Sequence, residues 1–435
     1  MMRREFLGVA TGIVGTANVQ FGERSITSSP PPTVRDWRAA FPALSQRIEG
    51  HPLAYLDTAA TSLRPQPVID AVAKFYSTDN ANPAAALHTL ARRANAAVEG
   101  ARASVASFIG ASDPLEVTFT RGTTDGLNLV ASAWGDANVH AGDEILIGMA
   151  EHASNMLPWR YLARRSGARL VYFDVDDGGR PRIDDLVSKL SARTRIVAFS
   201  HVSNVLGMIN PVREMCTTVR GPGRIVVIDG AQSVPHVPVN VQDLGCDFMA
   251  FSSHKMCGPM GVGVLWGRRE LLEAMPPYQT GSNMAHDVGL DALHLSAGAL
   301  KFGAGTPNAS GPVGLAAAMA FLRGIGFDAL AAHEQAINRR MLVRLARIPQ
   351  VRLLGSAEPQ HRVSVFSFAV KDRTPLDVMR TMDAQGIAIR AGDLASLPLL
   401  QRFGENAVAR ASCYLYTTEE EIDRFADTLE QLIAS

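Results

Sequence analysis

The fold is decided by two stretches, Val226-Val227-Ile228-Asp229-Gly230-Ala231-Gln232 and Phe251-Ser252-Ser253-His254-Lys255-Met256-Cys257-Gly258-Pro259. Each begins as a short apolar run, typical of a strand buried on both faces, and continues at once into polar residues. The first run ends in a carboxylate, Asp229, and the second leads to an amine, Lys255. In a parallel sheet the carboxyl ends of the strands gather at one edge, so both side chains are expected in one site.

A lysine and an aspartate at neighbouring strand ends suit pyridoxal phosphate. This cofactor needs a lysine amine for its Schiff base and a carboxylate against its pyridine nitrogen. Taken singly, Lys255 would be interpreted as a surface lysine and Asp229 as a turn residue. Their order and spacing favour the cofactor site instead.

Strand and helix signals alternate on both sides of these stretches, which predicts an α/β protein with a mostly parallel sheet covered on both faces. The predicted strands are 115–120, 144–147, 169–173, 195–200, 224–228, 247–251 and 263–266. Beyond residue 323 the pattern changes to long helices with short strands between them. We therefore predict a signal and linker over 1–33, an arm over 34–50 that packs on the smaller domain, a large cofactor-binding domain over 51–322 and a smaller α+β domain over 323–435.

Composition excludes several classes of function. Of 435 residues, 47% are hydrophobic and 19% charged, as in ordinary globular enzymes. Lysine plus arginine equals aspartate plus glutamate, at 42 each, so no net field favours nucleic acid or an anionic membrane. The four scattered cysteines form no CxxC pair, which argues against a disulfide framework and a zinc site, and no metal site is predicted.

The first residues, Met1-Met2-Arg3-Arg4-Glu5-Phe6-Leu7-Gly8, resemble a twin-arginine export signal. A mildly apolar stretch over 9–19 follows, too short for a membrane span, and then the proline-rich linker Ser28–Pro32. This pattern predicts a periplasmic or exported protein that crosses the membrane folded and loaded with cofactor. The alternative is a disordered basic arm on a cytoplasmic protein, since no Ala-x-Ala cleavage site follows.

Other strand ends carry residues suited to the same cofactor. Thr123 and Thr124 open a helix directly after a strand, where backbone N–H groups and hydroxyls would meet a phosphate, although threonine is also an ordinary helix cap. His152 follows the next strand and could stack on the pyridine ring and move protons. Asn204 lies at a further strand end, where it could orient a substrate carboxylate or a cofactor oxygen.

Taken together, the chain resembles the fold-type I pyridoxal phosphate enzymes of the class V aminotransferase superfamily, and most of all the SufS-type (group II) cysteine desulfurases and selenocysteine lyases. The resemblance covers residues 41–433. Its landmarks are Tyr55–Thr61, Arg121–Thr124, Glu151-His152, His201–Asn204, Asp229–Gln232, Ser252–Pro259, Gly305–Asn308 and Arg410–Ser412.

The resemblance implies a role for each matched residue. Lys255 would bind the cofactor covalently and His152 would stack on its ring, as the two catalytic residues. Asp229 would pair with the pyridine nitrogen and Gln232 with the ring hydroxyl. The phosphate would be held by Thr124, Ser252 and His254, with Thr123 beside them and Thr306 reaching across from the other subunit, which implies a homodimer with shared sites. The substrate carboxylate would bind Asn204, Arg390 and Arg410.

The chain departs from these relatives where they handle sulfur. They carry a nucleophilic cysteine in a stretch resembling Arg-x-Gly-His-His-Cys-Ala-x-Pro, which here is Arg390-Ala391-Gly392-Asp393-Leu394-Ala395-Ser396-Leu397-Pro398. Ala395 stands at the cysteine position and cannot carry a persulfide. Alanines also replace a polar pair within Pro83–His88, near the expected site entrance, and Gly303 stands where a glutamate is common.

Three hypotheses follow. The leading one is a pyridoxal phosphate enzyme that acts on an amino acid or amine by elimination, transamination or epimerisation without a persulfide cysteine, and that could tailor an exported metabolite. The second is a true cysteine desulfurase or selenocysteine lyase with an unrecognised sulfur acceptor. The third is a dimeric binding protein that keeps the cofactor without catalysis, against which the intact Lys255, Asp229, His152 and Arg410 argue.

Overall fold

The structure, a computed structural model, describes residues 34–85 and 87–434, and its elements follow the predicted alternation. The predicted signal and linker over 1–33 lie outside the described residues. The helices are α1 Val34–Ala39, α2 Gln66–Lys74, α3 Thr89–Ile109, α4 Thr123–Leu129, α5 Asp136–Asn138, α6 Leu157–Ser166, α7 Ile183–Ser188, α8 Val212–Val219, α9 Val241–Leu244, α10 Arg269–Ala274, α11 Ser310–Ile325, α12 Phe327–Ala346, α13 Pro375–Ala384, α14 Leu397–Arg402 and α15 Glu419–Ala434.

The strands include every one predicted, most within one residue of the expected bounds. They are β1 Arg47–Ile48, β2 His51–Pro52, β3 Ala54–Tyr55, β4 Val117–Thr120, β5 Glu144–Gly148, β6 Arg169–Phe173, β7 Thr194–Ser200, β8 Ile225–Asp229, β9 Phe248–Ser252, β10 Gly263–Gly267, β11 Ala285–Val288, β12 Leu293–Leu295, β13 Val351–Leu353, β14 Val365–Val370, β15 Ile387–Ala388, β16 Arg390–Gly392 and β17 Val408–Ser412.

A seven-stranded sheet in the order β4-β10-β9-β8-β7-β5-β6 forms the centre of the fold. Strands β6, β5, β7, β8 and β9 run parallel, and β10 pairs antiparallel with both β9 and β4. Helices cover both faces, so successive residues of one strand enter different cores: Val226 and Ile228 face one apolar cluster, Ile225 and Val227 the other. This double burial is why the strands read as continuous apolar runs.

One predicted strand begins later than expected. Residues 114–116 form a 3₁₀ turn, and β4 starts only at Val117. Asp113 Oδ1 accepts a hydrogen bond from the Leu115 amide at 2.8 Å, and Pro114 has no amide to offer a neighbouring strand. The capped turn therefore takes the residues that the apolar pattern assigned to the strand.

A smaller four-stranded sheet in the order β13-β14-β17-β16 lies in the C-terminal part of the chain. It packs with α12, α13 and α15 around Phe366, Phe368 and Phe425. The N-terminal arm reaches this region, where the rings of Trp37 and His333 meet edge to face at 5.9 Å. Beyond the arm, β3 pairs in parallel with β15.

The described residues, 34–85 and 87–434, form one compact unit, in which α11 packs against α2, α3 and α12. The division into domains at residue 323 therefore stays a prediction. In the described part of the chain, no single helix is long and apolar enough to cross a membrane; α11 and α12 meet the criteria of length and composition only as a pair, with a 76° bend between them.

Candidate active site

A cavity of about 740 Å³ opens at the carboxyl ends of β5, β7, β8 and β9, the edge at which the sequence placed a site. The parallel strands bring together polar residues that are up to a few hundred positions apart in the chain. The predicted site residues that line this cavity are Thr123, Thr124, His152, Asn204, Asp229, Gln232, Ser252, His254, Lys255, Arg390 and Arg410.

Lys255 and Asp229 lie in the same wall. Strand β9 ends at Ser252, and one 3₁₀ turn over Ser253–Lys255 carries the amine to the cavity. Burial lowers the pKa of Lys255 to about 8, opposed by the negative charge of Asp229. Burial likewise raises the pKa of Asp229, opposed by the charge of Lys255 and by the Ala231 amide, which donates to Asp229 Oδ1 at 2.9 Å. Each charge thus partly offsets the effect of burial on the other group.

The N-terminus of α4 forms a cradle of donors beside these two residues. The Thr123 amide donates to Ser252 Oγ at 2.8 Å, and the hydroxyls of Thr123 and Ser252 are 2.7 Å apart. The Thr124 and Ser154 hydroxyls are 2.8 Å apart. A Cβ atom at Gly263 would meet the Gly122 Cα atom at 2.5 Å, so only a glycine lets β10 approach the start of this helix. A helix N-terminus surrounded by hydroxyls suits a phosphate group.

His152 and His254 are both uncharged at neutral pH. Burial, the charge of Lys255 and the charge of Arg410 lower the pKa of His152 to about 4. Burial and the charges of Lys255 and Arg64 lower the pKa of His254 to about 4. His152 Nδ1 accepts a hydrogen bond from the Ser154 amide at 3.1 Å, which holds the ring at the end of β5 with Nε2 as the other polar atom. A neutral, fixed imidazole is suited to stacking on a flat ring.

Two arginines that line the cavity share one carboxylate. Arg390 and Arg410 face each other across the β16–β17 pair. Arg390 binds both oxygens of Asp57, with its Nη2 atom 2.8 Å from Oδ2 and its Nε atom 3.1 Å from Oδ1. Arg410, which is only 2% exposed, reaches Asp57 Oδ1 at 3.4 Å and donates to the Asn204 carbonyl at 2.9 Å. Two positive charges against one negative leave a net positive site suited to a carboxylate.

The loop Asp393–Ser396 connects β16 to α14, and its first three residues line the cavity. Asn204 donates to the Leu394 carbonyl at 3.0 Å and accepts from the Ser396 hydroxyl at 3.2 Å, so its side chain holds this loop as well as lining the cavity. The Ala395 carbonyl accepts the Ala153 amide at 2.7 Å. Leu394 and Ala395 have φ angles of 52° and 54°, a left-handed conformation that these contacts must stabilise.

Pyridoxal phosphate fits the residues present. The wall supplies the amine, the carboxylate, the phosphate cradle and a neutral imidazole. Gln232 donates to the Ala59 carbonyl at 2.8 Å, while its buried Oε1 atom has no partner among the described residues. An unpaired buried oxygen beside Lys255 and Asp229 is expected where a bound ligand completes the hydrogen bonding.

Comparison with known proteins shows the family of the chain. The model of a family described as aminotransferase class V matches residues 54–425. A probable cysteine desulfurase from Halalkalibacterium halodurans is 45% identical over 391 residues, which cover 90% of this chain and 96% of the relative. A probable cysteine desulfurase from Streptomyces coelicolor is 42% identical over 400 residues, covering 91% and 96%.

Solved structures agree in fold. A cysteine desulfurase from Thermococcus onnurineus is 35% identical with a TM-score of 0.87, covering 94% of this chain and all of that one. A cysteine desulfurase from Escherichia coli is 34% identical with a TM-score of 0.86, covering 93% and 99%. The chain belongs to the class V aminotransferase family. It is a pyridoxal phosphate enzyme of fold type I, within the cysteine desulfurase group of that family, as predicted.

In this class V aminotransferase family member, one predicted site residue lies apart from the others. Thr306 is exposed and outside the cavity wall, where its hydroxyl accepts from Asn82 at 3.4 Å. The prediction placed it at the phosphate of a second subunit, so one chain does not test it. Of the alanine stretch predicted at the entrance, Ala86 lies outside the described residues.

Two acidic residues at the site received no role from the sequence. Asp57 belongs to a quoted landmark, yet nothing in the pattern paired it with arginines 333 and 353 positions away. Asp393 lines the cavity wall and received no role. Its position in the loop that carries Ala395 was the available signal.

Proposed function

We propose that the enzyme cleaves an α-amino acid that carries a leaving group on its β carbon, and releases that group without storing sulfur on an enzyme thiol. The observation that carries this proposal is the loop beside the cofactor site, where Ala395 occupies the cavity wall. In the described part of the chain, the residues that line the cavity include no cysteine. Ala395 is assigned to the cysteine position by the resemblance of the surrounding sequence.

The remaining thiols are poor substitutes. Cys216, Cys246, Cys257 and Cys413 are all buried and free. Burial raises the pKa of each, to about 12 for Cys216 and Cys257. Since the thiolate is the nucleophile, these cysteines stay protonated and unreactive at physiological pH.

The chain's residues suit this reaction. Pyridoxal phosphate, when bound, supplies an electron sink for a carbanion next to the amino group. Lys255 would bind it and later take the proton from the substrate Cα at its Nζ atom, a task favoured by its pKa of about 8. Asp229 would keep the pyridine nitrogen protonated, Gln232 would bind the ring hydroxyl, and His152 would fix the plane of the ring.

The phosphate and the substrate would bind at opposite ends of the cavity. Thr123, Thr124, Ser252 and His254 would hold the phosphate at the N-terminus of α4. Arg410 and Arg390 would bind the substrate carboxylate, while Asp57 limits their mutual repulsion. Fixing the carboxylate at one end and the amino group at the other would set the Cα–H bond within reach of Lys255.

The possible reactions leave different products. In elimination the bond from Cβ to the leaving group breaks, that group departs with the electron pair and a proton, and addition of water gives pyruvate, ammonia and the protonated leaving group. A desulfurase transfers neutral sulfur to a thiol, so the two electrons stay on carbon and the product is alanine. Transamination gives a 2-oxo acid that keeps the leaving group, and epimerisation gives the D-amino acid.

The test is product analysis after incubating the purified, cofactor-loaded full-length protein with L-cysteine and with S-alkyl-L-cysteines. Pyruvate and ammonia in equal amounts, abolished in Lys255→Ala, are the expected result. Alanine with sulfide would support the desulfurase reading and overturn the proposal. Absence of any product, with no change in cofactor absorbance for any amine, would support the binding protein that merely retains the cofactor.

We also propose that two subunits share their sites. The hairpin β11–β12 exposes Val288, Leu290 and Leu293, with exposed fractions of 75%, 104% and 58%, and Met260 at the cavity is 65% exposed. A second copy would cover this apolar surface and bring its Thr306 to the phosphate. Sedimentation equilibrium should give twice the 46.6 kDa chain mass. A monomer that still binds cofactor would contradict this.

A separate proposal concerns residues 1–33. We propose that Arg3-Arg4 directs export of the folded, loaded enzyme. Residues 1–33 fused to a reporter that is active only after folded export should produce signal. Replacing both arginines by lysine should abolish that signal, whereas signal from the lysine form, or none from either, would contradict export by this route.

A further inference from the structure

The fixed charges of the cavity leave one acid without an assigned partner. Asp229 lies against Lys255, and Asp57 against the two arginines. Arg121 also lines the cavity, but its Nη2 atom binds Asp125 Oδ1 at 3.0 Å and its side chain is 76% exposed. The acid that remains in the wall is Asp393. In the described part of the chain no lysine or arginine forms an ion pair with it.

Asp393 is held firmly despite its exposure. Its Oδ1 atom accepts the Ala395 amide at 3.0 Å, and its carbonyl accepts the Ser396 amide at 2.9 Å. The next residue, Leu394, is 7% exposed and packs in an apolar cluster with Leu399 and Val408. The loop therefore presents Oδ2 from a pinned backbone, which lowers the entropy that a binding partner would cost.

Its place in the site decides what Asp393 would meet. Arg390, at the carboxylate end of the proposed substrate site, lies three residues before it, and Ala395 lies two residues after it in the same wall. Ala395 lines the same cavity as Lys255 and the two arginines, so in the proposed reaction its loop would lie near the β carbon and the leaving group. A substrate whose carboxylate binds Arg390 and Arg410 would therefore extend its side chain toward Asp393. The small side chain of Ala395 leaves room for that extension.

We propose that the enzyme selects α-amino acids whose β substituent ends in a cationic group, and that Asp393 is the residue that binds this cation. The ligand class is a thioether, or a similar leaving group, that carries an ammonium or other positively charged terminus. This inference rests on the proposed function, since it assigns the substrate of the same site. An unpaired carboxylate in a partly enclosed wall attracts a cation more strongly than one on an open surface.

One substitution separates the charge of Asp393 from its structural role. Asparagine retains the side-chain oxygen that accepts the Ala395 amide, so Asp393→Asn removes the charge while preserving the turn. Asp383→Asn is the matched control, because Asp383 is exposed near the end of α13 and does not line the cavity. Asp393→Arg reverses the charge at the same position.

The experiment compares S-(2-aminoethyl)-, S-propyl- and S-carboxymethyl-L-cysteine, which are similar in size and end in a cation, a neutral methyl group and an anion. Apparent dissociation constants are read from the cofactor absorbance of the full-length loaded protein, and pyruvate release is measured in parallel. The wild-type protein and Asp383→Asn should prefer the aminoethyl over the propyl compound by about tenfold, a difference of about 1.4 kcal/mol. Asp393→Asn should lose this preference without weakening binding of the propyl compound, and Asp393→Arg should favour the carboxymethyl compound.

The outcomes separate the two proposals. Preference for the aminoethyl compound in binding, lost in Asp393→Asn but without pyruvate, would support the role of Asp393 and contradict β-elimination. Pyruvate formed equally well from the aminoethyl and propyl compounds, with Asp393→Asn acting equally on both, would overturn the role of Asp393 and leave β-elimination standing. An equal loss of preference in Asp383→Asn would also overturn it, because a general field effect would then explain the selectivity.

Discussion

Lys255 and Asp229 control each other's charge at the level of single residues. Burial disfavours the charged form of both side chains, and each charge partly restores the other. Loss of one partner should therefore move the titration of the other in a direction that can be stated in advance.

Cofactor attachment should follow the titration of Lys255. Only the neutral amine attacks the cofactor aldehyde, so the attachment rate should rise as pH increases through about 8, the pKa of Lys255. In Asp229→Asn the amine loses the negative charge that raises its pKa, and the profile should move to lower pH. Stopped-flow absorbance measures the attachment rate as a function of pH when the cofactor-free wild type or Asp229→Asn is mixed with pyridoxal phosphate. A profile centred near pH 10 in the wild-type protein would contradict the prediction.

Arg410 should make the enzyme prefer amino acids to amines that lack a carboxylate. Its fork donates to Asn204 and Asp57 and leaves a buried Nε atom without a partner among the described residues. Arg410→Lys keeps the charge but loses the fork. We expect the preference for an amino acid over the corresponding amine without the carboxylate to fall by about 10- to 100-fold. Steady-state kinetics with both compounds measures the ratio, and a ratio that stays unchanged would exclude Arg410 from the carboxylate site.

At the scale of elements, the site depends on the close approach of β10 to the start of α4. Strand β10 runs antiparallel between β9 and β4, and Gly263 pairs with both Ser252 and Thr120. The same residue touches Gly122, which precedes α4. The phosphate cradle is thus built where three elements meet with no space for a side chain.

Gly263→Ala should disturb both stability and cofactor binding. The added Cβ atom would lie 2.5 Å from Gly122 Cα and 2.7 Å from the Phe251 carbonyl oxygen, both of them backbone atoms that cannot swing aside. We expect a loss of about 1–3 kcal/mol in the free energy of unfolding and weaker binding of pyridoxal phosphate. Gly324→Ala in α11 is the control, because a Cβ atom there meets nothing within 4 Å. Urea denaturation and cofactor titration measure the stability and the cofactor affinity of both variants. Equal values for the two variants would mean that the backbone adjusts at Gly263.

At the scale of the whole molecule, buried neutral histidines at and near the site should make the fold less stable in acid. Burial lowers the pKa of His201 to about 4, and His152 and His254 are shifted in the same direction. His201 is 7% exposed, and its buried Nδ1 atom has no partner among the described residues. An unfolded histidine binds a proton near pH 6.5, whereas the folded His201 resists protonation down to about pH 4. The unfolded state therefore gains stability as pH falls through this window.

His201→Gln should reduce the acid sensitivity of the fold. The contribution of His201 is fully present above pH 6.5 and is lost as pH falls toward 4, which amounts to about 2–3 kcal/mol at pH 4.5. The measurement is the free energy of unfolding of the cofactor-free protein at pH 7.5 and at pH 4.5. The decrease between the two pH values should be smaller in the variant than in the wild type by this amount. His140→Gln, with a histidine side chain that is 75% exposed, should behave as the wild type. The prediction is wrong if both variants lose stability equally with acid.

The strands of the main sheet and the amine and carboxylate at their ends could be predicted from the sequence alone. Each depends on a local pattern: a doubly buried parallel strand is a continuous apolar run, and its carboxyl end is where the polar residues begin. Lys255, Asp229, His152 and Thr123 were found in this way, and all four line one cavity.

Tertiary structure alone decided how the substrate end of the site is built. Asp57 meets Arg390 and Arg410 only because the short strand β3 joins β15 and the chain then passes beside β17 at Ser412. Asp393 faces the cavity only because Asn204, 190 residues away from Leu394, and a separate apolar cluster hold its loop. Such contacts are set by packing between distant segments, and a local sequence pattern carries no information about which distant residue will fill the space.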